Sequence, residues 1–586
     1  MRDKYCGLVT KEDVGKTITL SGWVFRRRDH GGLVFVDLRD VSGIVQIVFS
    51  PDISREAHNK AGELKQEYVI TITGKVDLRP EGTENMNIPT GEEEIYVTNF
   101  EILNTCKPLP FQLDEEEPNE SLRLKYRYLD MRRDEIKRSF LIRSRAYKAT
   151  RDYLVDNGFY EFETPMLTKS TPEGARDFIV PSRLNPGNFY ALPQSPQLFK
   201  QLLMVGGFDR YFQVVRCFRD EDLRADRQPE FTQVDIEMSF VDVDDVIALS
   251  EGLIKAVYES VTGNILETPI LRMSYDDVME LYGTDKPDMR FDLLMTDLTD
   301  IFNETDFGIL KKTVEEKGAV KAVVLKGKTL SRKDLDTAVD TAKEMGSGGL
   351  IWMRKENDTL QSPIVKYLKD QEKTEMDNRL GLANGDVLFI MAGPRNKTNE
   401  LMGRFRLYLG EKYDLIAKNL FKFLWVVDFP LLEYSEEEKR YMARHHPFTS
   451  AKENVRSFQG DYDTIKAKAY DLVLNGVEIG GGSIRIYRTD EQMAMFKLLN
   501  IKEEEATEKF GFLLEALEMG APPHGGIAFG FDRLLMMLLR LESIRDVIPF
   551  PKTQRGTCLM TGAPSKISAR QLNELKIRAV VDPSGG

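Results

Sequence analysis

Three stretches of this 586-residue chain combine residue types that could do chemistry on charged substrates. The first runs from Phe218 to Glu237. Between two strand-like segments it crowds Arg219, Arg224, Arg227 and Gln228 against Asp220, Glu221, Asp222, Asp226 and Glu230. A solvated hairpin could carry such charges. Here they continue into Phe231–Phe240, where apolar and polar side chains alternate, so Asp235 and Glu237 fall on one side of a strand. The second stretch is Asp471 to Arg485. Its Asn475-Gly476 pair predicts a type I′ hairpin, which brings Asp471 and Glu478 from paired strands toward one metal ion. The glycines Gly480 to Gly482 permit close backbone approach to a ligand. Arg485 offers a planar fork for a carboxylate. The third is Gly525 to Met536, a glycine-rich strand running into a helix through Gly530-Phe531-Asp532-Arg533. No Ser/His/Asp or Cys/His set accompanies them. The chemistry these residues suit is neutralisation and alignment of anions, without an enzyme nucleophile.

The elements that must position these residues come in a definite order. Residues 1–106 predict five strands (17–24, 32–38, 43–49, 68–76, 94–103) with a helix near 54–67, the pattern of an oligonucleotide-binding barrel. Arg26-Arg27-Arg28 ends the first strand, with Phe35 and Gln46 on the next two, a possible stacking platform for an unpaired base. Residues 107–130, with three prolines and the acidic run Asp114 to Glu117, predict a solvated hinge. A helix over 136–157 is closed by Asn157-Gly158 and followed by a strand to Pro165. Ser195 and Pro196 predict the N-cap and first position of a helix carrying Gln197 and Lys200. Residues 287–424 carry none of the motifs and read as an inserted α/β module. The last part resumes with an apolar strand from Phe423, then His445-His446 in a loop.

The bulk numbers narrow the class. A composition 41% hydrophobic and 30% charged is that of a globular protein of several domains. A net charge of −13 argues against a generic nucleic-acid coat, so an RNA partner must be held by local basic patches. Four scattered cysteines give neither a zinc spacing nor a disulfide framework, and no signal or membrane segment is apparent. A cytoplasmic protein is expected.

Phe218-Arg219-Asp220-Glu221 with Glu230-Phe231-Thr232-Gln233 and Asp235-Ile236-Glu237 resembles motif 2 of class II aminoacyl-tRNA synthetases, closest to the bacterial aspartyl branch. The helix and strand to Pro165 resemble motif 1, and Gly530-Phe531-Asp532-Arg533 resembles motif 3. The resemblance implies an α+β protein: an N-terminal OB-fold β-barrel (1–106) for the anticodon, a hinge (107–130), a catalytic domain on an antiparallel β-sheet in two parts (131–286 and 425–586), and the insertion (287–424). It also implies a homodimer.

The resemblance further implies roles. L-Aspartate would meet Glu173, Ser195, Gln197, Lys200, Arg219, Asp235, His445 and Arg485. ATP would meet Arg219, Asp220, Glu221, Gln228, Phe231, Glu478, Gly530, Phe531, Asp532 and Arg533. Arg219, Arg533 and Glu478 would be catalytic, and Asp471 with Glu478 would hold Mg2+. Arg28, Phe35 and Gln46 would read the anticodon of tRNA(Asp). His30 and Gly82 resemble the relaxed subgroup that also aspartylates tRNA(Asn). Lys200 and Arg485 are expected as two cations awaiting the aspartate side chain. The alternatives are an asparaginyl enzyme, a tRNA-independent amide-forming ligase, and an RNA-binding paralogue without activity.

Overall fold

The computed structural model describes residues 2–114, 118–171, 175–458 and 460–580. The chain divides into two compact units, residues 1–137 and 138–586.

In the first unit five strands close into a ring, Thr17–His30, Leu33–Arg39, Ile44–Phe49, Glu93–Asn104 and Val69–Leu78, the last pairing back onto the first. All pairs are antiparallel except Ile44–Phe49 with Glu93–Asn104. Period-2 alternation places Leu20, Val24, Val36, Leu38, Ile47 and Ile72 inside. The first strand runs through the arginine cluster to His30, longer than expected, because Gly31-Gly32 makes the turn. The helix is shorter than expected. It spans Arg55–Ala61, capped by the Ser54 hydroxyl accepting from Ala57 N–H, and stops at Gly62. The linker expected as a solvated hinge holds two short helices, Glu120–Lys125 and Arg127–Asp130. The buried Asp130 carboxylate there accepts from Arg123, Arg127 and Arg133. Glu115 to Glu117 lie outside the described residues.

The second unit is built on an eight-stranded sheet in the order Arg272–Ser274, Phe423–Val427, Ala469–Leu474, Val477–Ile484, His524–Gly530, Glu230–Ser239, Arg210–Phe218, Tyr160–Glu161. The interior pairs are antiparallel and the two outermost pairs parallel. Helix Val243–Thr262 and helix Phe531–Leu538 cover an apolar face with Trp425, Ile236 and Ile527 in one core. Residues 296–393 include a separate five-stranded antiparallel sheet, with Ala319–Leu325 and Val387–Gly393 at its centre. One of its cores includes Phe405 and Leu409 of helix Arg395–Lys412. Among the described residues no helix is long and apolar enough to cross a membrane.

Candidate active site

The Glu230–Ser239 strand places Asp235 and Glu237 on one side of the sheet, both fully buried. Each needs a counter-charge, and two distant segments supply them. Lys200, on helix Gln197–Val205, puts Nζ 3.1 Å from Asp235 Oδ1 and 3.3 Å from Glu237 Oε2. Arg485 donates Nε to Glu237 Oε1 (2.8 Å) and Nη2 to Oε2 (3.1 Å), a bidentate pair. Burial alone would raise the Glu237 carboxyl, but Arg485 and Lys200 outweigh it and hold it at about 2. Burial raises the Asp235 carboxyl, and its Oδ2 has no hydrogen-bond partner among the described residues. The expectation of two unpaired cations is therefore corrected. Lys200 and Arg485 share one buried network with two carboxylates, because charges this deep persist only when paired.

Arg485 Nη1 lies 2.7 Å from His446 Nε2 and donates to Ser483 Oγ at 2.7 Å. His446 is held neutral, its pKa well below the usual imidazole range through burial and then the Arg485 charge. His445, expected at the aspartate site, sits instead with Nε2 3.2 Å from Asp471 Oδ1 and its ring against Phe429. Both histidines line the adjoining cleft. His446, for which no role was expected, is the one that touches Arg485; adjacency to His445 is its only signal in the sequence.

That cleft, about 540 Å3, runs beside the network. Arg219, on the residue after strand Arg210–Phe218, places its guanidinium 5.3 Å from the Phe231 ring centroid. Arg533, in the first turn of helix Phe531–Leu538, donates to the Glu478 carbonyl (3.1 Å) and to Asp226 Oδ2 (3.3 Å). The Nε of both arginines is buried without a hydrogen-bond partner among the described residues. Phe231, Glu221 and Gly530 also line the cleft, Glu221 in an ion pair with Arg227.

Asn475 (φ 51°) and Gly476 (φ 86°) make the expected tight hairpin, and Asp471 pairs opposite Gly481. A Cβ on Gly481 would fall 2.6 Å from Asp471 Oδ1 and 3.5 Å from Glu478 Oε1, so both carboxylates face one small space beside a bare backbone. Burial raises the Asp471 carboxyl and the neighbouring Glu478 charge raises it further. Glu478 is lowered despite burial, because the Lys286 ammonium lies 2.8 Å from its Oε2. Two carboxylates that repel across such a space fit a hard cation such as Mg2+, which takes one or two protein carboxylates and completes its shell with phosphate and water. Among the described residues no group of three or more such ligands occurs.

Other expected site residues are used differently. Phe531 is buried in the core, stacked on Tyr147 at 4.5 Å. Asp532 accepts from Arg143 Nη1 (2.5 Å) and Thr232 N–H (2.7 Å), so both its oxygens tie elements together. Gln228 pairs both ends of its amide with the Lys552 backbone. Asp220 is exposed, does not line the cleft and receives Arg176 at 4.0 Å. Gln228 and Asp532 line the cleft beside Arg219 and Arg533 while tying the scaffold together, and Phe531 serves the core. Pro196, not Ser195, is the N-cap of the Gln197 helix; the Ser195 hydroxyl accepts from Gln197 N–H at 3.3 Å, a local turn that delays the helix by one residue. Ser195 lines a second cavity of about 220 Å3 with Asp177 and Gln194. Gln197 is buried with Nε2 unpaired among the described residues. Glu173 lies outside them.

On the ring, Arg28 stands opposite Phe35, and Asp37 opposite Gln46. Arg28 Nη2 donates to Asp37 Oδ1 (2.8 Å) and Gln46 Oε1 (3.3 Å), while Gln46 Nε2 donates to Glu94 Oε2 (2.8 Å). Phe35 is half-buried in this polar row, an aromatic face among hydrogen-bonding groups. His30 is exposed at the strand end, and Gly82 (φ 85°) has open space where a side chain would project.

A family model described as tRNA synthetases class II (D, K and N) matches residues 119–554, and one described as OB-fold nucleic acid binding domain matches residues 18–103. The chain is 52% identical over 593 residues to an aspartate–tRNA(Asp/Asn) ligase of Aquifex aeolicus, covering 99% of this chain and 98% of that one. It is 50% identical over 587 residues to an aspartate–tRNA ligase of Macrococcus caseolyticus, covering 100% and 99%. Its fold is similar to that of a solved asparaginyl-tRNA synthetase from Pyrococcus horikoshii, with a TM-score of 0.59 at 19% identity, over 94% of this chain and 98% of that one. At that identity the likeness concerns the fold alone.

Proposed function

We propose, since the chain belongs to the class II tRNA synthetases of the D, K and N group, that it is an aspartate–tRNA ligase acting on tRNA(Asp) and tRNA(Asn). It would work as a homodimer. The observation that carries the amino-acid assignment is the buried network of Lys200, Arg485, Asp235 and Glu237. Asp235 has an oxygen to spare for the substrate ammonium, and a substrate side-chain carboxylate would enter the network as a further partner of Arg485 and Lys200. Asparagine would offer an amide where the network is set for an anion. Such a mismatch in a desolvated pair costs about 2–5 kcal/mol, or roughly 1.5 to 3.5 decades in affinity.

In the first step an oxygen of the aspartate α-carboxylate attacks the α-phosphorus of ATP. A carboxylate–phosphorus bond forms and the bond to the β-phosphate bridging oxygen breaks, that oxygen leaving with its electron pair as part of pyrophosphate. Two anions must meet, so charge neutralisation and in-line alignment are the catalytic problem. Arg219 would face the α-phosphate and Arg533 the terminal one, each with a buried Nε still to be satisfied. Phe231 would stack on adenine, with Glu221 accepting from its amino group. Asp471 and Glu478 would hold Mg2+, which when bound offsets phosphate charge. In the second step a ribose hydroxyl of the terminal tRNA adenosine attacks the adenylate carbonyl, and AMP leaves.

On the ring, Phe35 would stack an anticodon base while Arg28 and Gln46 face its edge and phosphate. The relaxed tRNA choice rests on His30 and Gly82. Aminoacylation of the two tRNA transcripts tests the reading: both should accept aspartate and neither asparagine. Replacing His30→Leu with Gly82→Lys should depress charging of tRNA(Asn) selectively. Failure of the unaltered protein to charge tRNA(Asn) would remove the second substrate and leave the first.

A further inference from the structure

One cation lining the cleft belongs to none of the three motifs. Lys286 follows helix Tyr275–Tyr282 and, with Arg219 and Arg533, faces the cleft. Its Nζ lies 2.8 Å from Glu478 Oε2, and its side chain keeps 42% exposure, so the ammonium stands in the opening and not in the core. Taken alone, a half-exposed Lys–Glu pair is a weak and common contact. What sets it apart is how firmly the chain on either side is held.

Gly283, which ends the Tyr275–Tyr282 helix, touches helix Arg395–Lys412 backbone to backbone: a Cβ on it would fall 2.0 Å from the Asn399 carbonyl and 2.9 Å from Cα of Gly403. A Cβ on Gly403 would in turn fall 2.5 Å from the Tyr282 carbonyl. One turn along the same helix, buried Arg406 donates Nε to the Leu293 carbonyl (2.7 Å) and Nη2 to the carbonyls of Asp288 (2.9 Å) and Phe291 (3.0 Å). On the other side of Lys286, Arg444 Nη2 donates to Asp285 at 3.0 Å. Asp288 itself packs under the Asn475-Gly476 turn, with its Cβ 3.3 Å from where a Cβ of Gly476 would lie. The segment carrying Lys286 is thus clamped between the inserted helix and the hairpin bearing Asp471 and Glu478.

We propose that Lys286 binds the β- and γ-phosphates of the nucleotide, and the pyrophosphate they become, and that the inserted module is what positions it. This rests on the reading of the cleft as the ATP site. A lysine on a flexible stem suits such a ligand, being a compact charge that follows an anion arriving and leaving, where a rigid bidentate fork would not. Its present partner, Glu478, is one of the two carboxylates fit to hold Mg2+. A polyphosphate held at that pair lies beside the Lys286 ammonium. Arg533 approaches the same residue through the Glu478 carbonyl. The insertion, which contributes no motif, then bears on the cleft by holding one side chain that lies just before it.

The test compares Lys286→Met, Lys286→Gln and Lys286→Arg with the unaltered full-length protein. Binding of inorganic pyrophosphate and of an α,β-methylene ATP analogue is read by titration calorimetry, and aspartate-dependent pyrophosphate exchange is read alongside. The Met and Gln variants should bind both phosphate ligands at least tenfold more weakly, with the KM for aspartate within twofold, and Arg, which keeps the charge but not the compact flexible ammonium, should recover only part of the loss. Arg406→Lys, with Lys286 intact, should weaken the same two ligands by a smaller factor. Unchanged pyrophosphate and analogue binding by a folded Met or Gln variant would overturn the proposal, as would an equal loss of aspartate affinity. Absence of aspartate-dependent exchange in the unaltered protein would overturn the ligase reading instead, leaving the calorimetric comparison to judge Lys286.

Discussion

The two ends of the active site are made differently. At the end we propose for the amino acid, Lys200, Asp235, Glu237 and Arg485 are buried and mutually paired, so the network is part of the fold as much as of the site. At the end we propose for the nucleotide, Arg219, Arg533 and Lys286 line an open cleft, with longer or more exposed contacts and, for the arginines, an Nε unsatisfied among the described residues. The difference matches what each end must do. Discriminating aspartate from a near-isosteric amide needs a desolvated, pre-set field. Admitting a polyphosphate and releasing pyrophosphate needs charges that are available yet not locked.

This contrast makes substitutions at the two ends behave differently. Arg485→Leu should give the largest effect: exchange falling by three decades or more, together with about 3–5 kcal/mol of stability, since Glu237 loses its bidentate partner in the interior. Urea unfolding beside the exchange assay reads both. Asp235→Asn should raise the KM for aspartate by about 10–100-fold and leave the KM for ATP within twofold. A comparable rise in both would merge the two ends into one. Arg533→Lys should raise the KM for ATP by roughly tenfold with stability unchanged within about 0.5 kcal/mol, as expected where a planar fork in an open cleft is replaced by a point charge. A large loss of stability there would erase the contrast.

A further consequence of the buried pairing concerns acid. Glu237 is held below its ordinary value, at about 2, so its pairing stabilises the fold fully above the usual glutamate range. That contribution should fade as pH falls from about 4.5 and be gone once pH passes below about 2. Stability measured across that window should decline less steeply in Glu237→Gln than in the unaltered protein. Parallel slopes would mean that Glu237 is not the group responsible.

Much of this was legible before the structure, for reasons that differ residue by residue. The ring strands and the Asn475-Gly476 hairpin are local consequences of alternation and turn chemistry, and apart from the first strand, which runs on to His30, they lie nearly where expected. Asp235 and Glu237 on one face followed from the period of a strand. Their partners did not, because Lys200 lies 35 residues from Asp235 and Arg485 lies 248 from Glu237 along the chain. A cation's type can be read from sequence, but whether a buried anion already satisfies it depends on how the sheet assembles. The same limit explains Phe531, which turns into the core beside Tyr147, and Asp532, which lines the cleft but spends both carboxylate oxygens on Arg143 and the Thr232 backbone. Lys286 escaped because it sits in a loop without periodicity, and only the packing of the inserted helix shows that the loop is fixed.

The chemistry proposed for this site depends on a buried, paired network being set for a dicarboxylic amino acid. Pyrophosphate exchange with ATP, run in parallel with aspartate and with asparagine on the unaltered protein, reads that dependence without a mutation. Exchange should depend on aspartate, with kcat/KM at least a hundredfold higher than for asparagine. Equal exchange with both amino acids, or preference for asparagine, would contradict it.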